Sequence, residues 1–249
     1  SIANALAAKA APDGYTLLMV STSFAINAVL QNKAHYDPVR DFSGVSQIGF
    51  STGVVVVTPA LGAKTLKDFI AAANERPGKL IYGSAGAGSG IHMSTVRFNM
   101  AAGIKTTHVA FKGQPEMLAE LIAGRVHYGI PGLGPALGII REGRVVPLAV
   151  GTPNRSALLP DVPAVVEVLP HFQRDAAHGL LVPARTPRPI IEKISKDVAT
   201  ALDMPDVKKQ MERMDFTPAP TTPAEYDKII RNQLKIFDEV ARQAGLIAR

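Results

Sequence analysis

Short apolar runs alternate with amphipathic segments along most of this chain, with glycine or proline at the changes, and that alternation restricts the fold to the α/β class. The turn Ala11-Pro12-Asp13-Gly14 leads into a strand from Tyr15 to Val20, and Thr52 to Thr58 reads as a buried strand stopped by Pro59. Thr65 caps a helix from Leu66 to about Asn74, which Pro77-Gly78 ends before a strand at Leu80. The order then recurs: strand Thr107 to Val109, helix Pro115 to Ala123 closed by Gly124, strand Val126 to Ile130, helix Leu133 to Arg141 closed by Gly143, strand Val145 to Val150. Such short βα units predict a largely parallel sheet covered on both faces.

The last quarter changes character. After a strand from Gly179 to Val182, the residues Ile190, Ile191, Ile194, Val198 and Leu202 fall on one helical face, and Val207, Met211 and Met214 mark a second helix. Thr222-Pro223-Ala224-Glu225 combines a capping box with proline in the first turn and starts a third helix that Gly245 stops. Its apolar face is Tyr226, Ile229, Ile230, Leu234, Phe237 and Ala241, a core stripe rather than a site.

The candidate site lies at Gly83-Ser84-Ala85-Gly86-Ala87-Gly88-Ser89-Gly90, between the strand Leu80-Ile81-Tyr82 and a helix from Ile91. Glycines there let backbone N–H groups approach an anion, and the first amides of a helix carry partial positive charge. The spacing from Gly83 to Gly88 suits a phosphate P-loop, but Ser89 stands where that loop needs lysine. The dinucleotide fingerprint fails too, because its last glycine is misplaced and Thr106-Thr107-His108 offers no acid for a ribose. A small anion and a purely structural turn remain the two readings. Ser84 and Ser89 suit either, because capping and anion binding use the same amides.

Other classes are disfavoured. No apolar run approaches a membrane span, nothing at the N-terminus has the form of a signal peptide, and the absence of cysteine removes disulfides and thiolate ligands. The formal charge of +6 comes from scattered residues, with Lys208-Lys209 the one adjacent basic pair, so it attracts small anions more than it suits nucleic acid. The six histidines never adopt a helical metal-binding spacing, and there is no G-x-S-x-G elbow. A hydrolase using Ser89 and His92 lacks an orienting carboxylate, while Glu116 and Glu120 read as a solvated helix face. Neither a metal nor an organic cofactor is expected.

Seven ordered motifs carry a resemblance across the whole chain. They are Ala11 to Leu18, Tyr36 to Phe42, Pro77-Gly78-Lys79-Leu80 with the glycine loop, His108 to Gly113, Gly143 to Val150, Leu159 to Pro163 and Leu181 to Pro187. Together they resemble the receptors of tripartite tricarboxylate transporters, the Bug family. The resemblance implies a type II periplasmic-binding-protein fold of two hinged lobes, each with a mainly parallel sheet flanked by helices. The lobes would be residues 1–58 with 178–249, and 59–177. It also implies a monomeric periplasmic receptor, not an enzyme, that holds a small organic carboxylate between the lobes and delivers it to a membrane permease. Neither nucleic acid nor direct membrane insertion is implied. A ligand-sensing module of a transcription regulator shares such a fold and is the third alternative beside receptor and small-anion enzyme.

Carried over by position, the resemblance places Ser84, Ala85, Gly86, Gly88 and Ser89 in the central ligand loop and Ser21, Thr22 and Ser23 in a hydroxyl-rich loop of the other lobe. It adds His92, Lys112 and Gly113, although Lys112 reads equally as a solvated surface lysine. The family opens with a strand and a Pro-rich, Gly-Gly loop that form one side of the carboxylate site, and this sequence begins beyond them, at Ser1-Ile2-Ala3. Pro131 stands where the family often has aspartate, and Ala177-His178 where it often has Trp-Phe. These departures imply a carboxylate without an ammonium group, bulkier or aromatic. Pro131 as a simple kink and His178 as a core histidine are the structural alternatives.

Overall fold

The computed structural model of the chain describes residues 2–30, 36–170, 172 and 177–247. In order the elements are α1 (Ile2–Ala8), β1 (Leu18–Ser21), α2 (Ser23–Leu30), β2 (Phe42–Ser51), β3 (Val54–Val57), α3 (Leu66–Glu75), β4 (Ile81–Ser84), α4 (Gly90–Ala102), β5 (Thr107–Ala110) and α5 (Gln114–Ile122). There follow β6 (Tyr128–Gly129), α6 (Leu133–Arg141), β7 (Val146–Val150), β8 (Ala177–Pro183), α7 (Arg188–Asp203), α8 (Pro205–Arg213), β9 (Phe216–Pro218) and α9 (Pro223–Gln243). Two units result, Ser1–Phe50 with Ala176–Arg249, and Ser51–Asp175. Each contains one sheet.

The second unit is organised around β3. Its four valines are fully buried, and their alternation divides them between two cores. Val55 and Val57 join Phe69 of α3, Phe98 of α4, Tyr128 and Leu148 on one face. Val54 and Val56 join Met117 and Leu121 of α5 and Leu133, Ala136 and Ile140 of α6 on the other. Burial of each valine contributes about 1.5–3 kcal/mol. The strand order is β5-β4-β6-β3-β7. α3 starts with the expected capping box, in which Thr65 Oγ1 accepts from Asp68 N and Asp68 Oδ2 accepts from Thr65 N.

In the first unit the order is β1-β8-β2-β9. Leu18, Val20, Phe42 and Leu181 pack against Ala7 of α1, Phe24 of α2 and Tyr226 and Ile230 of α9, while Val45 and Val182 pack against Ile191 of α7. Helices therefore cover this sheet on both faces too. Its longest strand, β2, has no clear strand pattern in the sequence because Gly44 and Gly49 mimic turn signals. Both glycines lie at register shifts against β8, at Gly44/Ser46 and Gln47/Gly49. Gly44 N donates to Asp227 Oδ1 at 2.7 Å, and a Cβ on Gly49 would overlap the backbone of Thr217.

The expected mainly parallel arrangement holds in the second sheet, where β4 is parallel to β5 and β6 and β3 is reversed, antiparallel to β6 and β7; in the first sheet β8 is antiparallel to β1 and β2. In each sheet the strand on which the chain enters the unit is inserted, reversed, between strands that are parallel to each other. The first changeover between units also comes earlier than the sequence suggested, at Phe50/Ser51 instead of residue 58, because β3 pairs with β6 and β7.

Gly179 in β8 lies directly under the Tyr226 ring, and an added Cβ would overlap its hydroxyl and Cζ. Gly179→Ala is expected to destabilise the protein by about 1–3 kcal/mol through overpacking, read from the midpoint of urea unfolding.

Candidate functional site

Because β5, β4 and β6 are adjacent and the β4 pairs are parallel, the loops leaving their carboxyl ends lie side by side. Those loops lead into α4, α5 and α6, so three helix N-termini share one edge of the sheet, after Ser89, Gly113 and Gly132. Ligands of open α/β sheets bind at such edges, and three sets of first-turn amides favour an anion there.

The loop after β4 is tightly organised. Ser84 is fully buried, and its Oγ accepts from Gly86 N at 3.2 Å and donates to Gly86 O at 3.0 Å. Ser89 N donates to Gly86 O at 3.1 Å, and Ser89 Oγ caps α4 by accepting from His92 N at 3.1 Å. Gly86 and Gly88 have φ of 120° and 75°, which side chains disfavour. Among the described residues, the amides of Ala85, Ala87, Gly90 and Ile91 take no hydrogen-bond partner. Those four N–H groups are the donors the loop has left for a ligand.

Beneath the loop lies an aromatic stack. Tyr82 of β4 is in register with His108 of β5 and with Tyr128 of β6. The His108 ring stacks on Tyr82 at 4.8 Å and on His92 at 4.0 Å between centroids. His92 Nδ1 accepts from Gly88 N at 3.1 Å, so the proton of the neutral ring is on Nε2. His108 Nε2 lies 2.7 Å from Ser84 Oγ. Burial, helped by the charge His108 would carry, pushes His92 down to about 4. Burial also lowers His108 and raises the Tyr82 phenol to about 12, so all three rings are neutral near pH 7.

The remaining residues expected from the sequence fall into two places. In the second unit, Lys112 is exposed and its amide donates to Oε2 of Glu116 at 2.8 Å, on the exposed face of α5. Pro131 is buried, and its carbonyl accepts from Val54 N at 3.0 Å, extending the β6–β3 pairing rather than kinking the chain. Gln114 ties two loops together: its Oε1 accepts from Gly132 N and its Nε2 donates to Gly132 O. In the first unit, Ser21, Thr22, Ser23, Ala177 and His178 meet where β1 pairs with β8. Ser21 and Ser23 share a 2.7 Å hydroxyl contact, and the His178 ring lies against Phe216. Thr22 clamps Ala177: its Oγ1 accepts from Ala177 N at 3.0 Å, and its amide donates to Ala177 O at 3.0 Å. Its hydroxyl is thus occupied in holding the strand end.

Sequence reasoning passed over Tyr82, His108 and Gln114 as site residues. The stack depends on the register of parallel strands, which no local pattern encodes. Only the run Tyr82-Gly83-Ser84, which puts an aromatic one strand period before the loop serine, hinted at it.

A sequence profile described as "Tripartite tricarboxylate transporter family receptor" matches residues 1–246. The chain belongs to the tripartite tricarboxylate transporter receptor family. Among relatives of this receptor, a protein of Agrobacterium vitis from the TAR-I ttuE-ttuC' intergenic region is 32% identical over 249 residues, covering 98% of this chain and 72% of its own. Protein BugT of Bordetella pertussis is 29% identical over 241 residues, covering 96% of this chain and 74% of its own. Among solved structures, R. palustris Rpa4515 with adipate has a TM-score of 0.89 at 29% identity, covering 98% of this chain and 82% of its own. MatC (Rpa3494) from Rhodopseudomonas palustris with bound malate has a TM-score of 0.83 at 27% identity, covering 97% and 83%. The periplasmic binding protein BugD, with a TM-score of 0.87 at 21% identity over 100% of this chain and 84% of its own, shares the fold. The receptor thus has the periplasmic-binding-protein fold, and its family consists of receptors rather than catalysts. The local geometry agrees, since Ser89 Oγ caps a helix and His92 Nδ1 is bonded to Gly88. No helix among the described residues is long and apolar enough to cross a membrane.

Two outcomes are expected. His92 binds its proton less readily when folded, so the stability this adds is full above its ordinary value of 6.5 and is lost as pH falls toward 4, by about 3 kcal/mol in all. Urea unfolding across that window should show the slope, and His92→Asn should flatten it. Thr22→Val, which leaves Ala177 N–H without its acceptor, should cost about 1–3 kcal/mol in the same measurement.

Proposed function

We propose that this receptor captures a small organic carboxylate in the periplasm and passes it to the permease of a tripartite transporter. The observation that carries the reading is the row of ligand-ready amides at Ala85, Ala87, Gly90 and Ile91, on a glycine loop beside two further helix N-termini. Oriented N–H dipoles stabilise a carboxylate without a fixed positive side chain, and the neutral histidines below add none. The adipate and malate of the two R. palustris structures, each more than 25% identical to this chain, support the same ligand class.

The residues proposed to meet the ligand are Ala85, Gly86, Gly88 and Ser89, with Gly113 beside them and Ser84 and His92 holding the loop from below. None is acidic, and Pro131 replaces the aspartate that would face an amine, so acids without an ammonium group are favoured over amino acids. Ser21, Ser23 and His178 are the residues of the first unit proposed to bind ligand. The receptor is proposed to act as a monomer.

Thermal shift against adipate, malate, aromatic acids and amino acids tests this. At a hundredfold excess over Kd a true ligand adds about 2.7 kcal/mol, a rise of several degrees in Tm. Acids lacking an amine should raise Tm, and Gly88→Ala, strained at its positive φ, should weaken their binding about tenfold or more. If no carboxylate shifts the folded receptor, the reading fails.

A further inference from the structure

Two buried histidines lie under the glycine loop, one from α4 and one from β5, and each reaches a different glycine. His92 Nδ1 accepts directly from Gly88 N. His108 Nε2 contacts Ser84 Oγ, and that oxygen holds both the amide and the carbonyl of Gly86. The rings stack nearly parallel, 15° apart with centroids at 4.0 Å, and Tyr82 closes the stack at 22° to His108.

We infer that His92 and His108 are positioning residues that hold the amides of Gly88 and Gly86 inward, so that those of Ala85, Ala87, Gly90 and Ile91 remain the loop's donors for a ligand. The division follows from the chain's geometry. A glycine loop has many conformations of similar energy, and a ligand that must select one of them binds more weakly in proportion to how rarely it is populated. Two internal acceptors, one at each positive-φ glycine, remove that freedom before the ligand arrives. The arrangement works only while His92 is neutral, because Ser84 Oγ spends its one proton on Gly86 O and therefore accepts from His108 Nε2–H, a donor that ring keeps in either charge state. Protonated Nδ1 of His92 becomes a donor and repels Gly88 N–H, and two imidazolium rings stacked at 4.0 Å oppose each other.

The titratable groups facing the pair are Tyr82 on β4 and, beyond it, Tyr128 on β6, both kept as neutral phenols by burial. His108 is the charged form that His92 senses, and among the described residues neither ring forms an ion pair. Among the described residues no carboxylate shifts either ring, so acid acts on the loop without compensation from them.

The inference deepens the proposed function, since it assumes that the loop takes the ligand, but its first test needs no ligand. Hydrogen exchange of the Gly88 amide, followed by NMR in the free protein, should show protection near pH 7 that falls about tenfold or more as His92 titrates. His92→Asn places a non-titrating acceptor near the Nδ1 position and should keep that protection at every pH, whereas His92→Leu should abolish it at pH 7. His108→Leu should loosen Gly86, and His108→Gln should restore it. Gly88 protection that ignores both pH and the His92 substitutions overturns the inference, and the wild-type titration decides this even if a leucine variant fails to fold. Adipate affinity is the second readout. It should fall with acid more steeply in the wild type than in His92→Asn, a comparison in which protonation of adipate itself cancels. Loss of Gly88 protection with no carboxylate binding by any form would sink the receptor reading alone, while binding that is equal in His92→Asn and His92→Leu would sink the positioning role alone.

Discussion

The parallel pairing of β4 with both β5 and β6 is the constraint on which the site depends. Parallel neighbours end at the same edge, so one choice of strand direction gathers three loops and three helix N-termini. The same register sets Tyr82 opposite His108 and Tyr128, which gives the loop an aromatic floor. A slip of one residue would turn Tyr82 to the other face and carry Ser84 with it, removing the hydroxyl that organises Gly86. The packing that prevents such a slip is close at hand: a Cβ on Gly83 would come within 2.7 Å of Met117 Cγ, so the strand fits its helix layer in one alignment.

That floor determines the electrostatic character of the site. Burial keeps both imidazoles uncharged, so what the described residues of this loop would offer an anion is peptide dipoles. Dipoles fixed by internal hydrogen bonds need no reorganisation when a ligand arrives, and they leave no desolvated charge behind when it departs. A carrier that must release what it binds benefits from both properties. The lysine nearest the loops, Lys112, remains in solvent.

Local signals were legible wherever chemistry and spacing act within a few residues. The glycine loop, the Ser89 cap, the capping boxes at Thr65 and Thr222, and the helix from Leu133 to Arg141 were all present in the sequence as patterns. Tertiary compensation hid the rest. β2 carries glycines that match Asp227 and the backbone of Thr217, residues more than 160 positions away, so its alternation is broken for reasons invisible along the strand. Thr22 reads as a loop hydroxyl until Ala177 is brought beside it across 155 residues. His108 reads as an ordinary strand histidine until β4 is laid next to it.

The reversed strand inserted in each sheet also has a consequence for synthesis on the ribosome. β3 emerges before either of its neighbours, β6 and β7, and stays unpaired while some seventy further residues are added. β1 and β2 fare worse, because the strand that joins them, β8, begins only at Ala177. The growing chain therefore displays open apolar strand edges for most of its elongation, and neither sheet closes in the order in which it is made. A protein built this way favours being kept unfolded until β6, β7 and β8 have all been made.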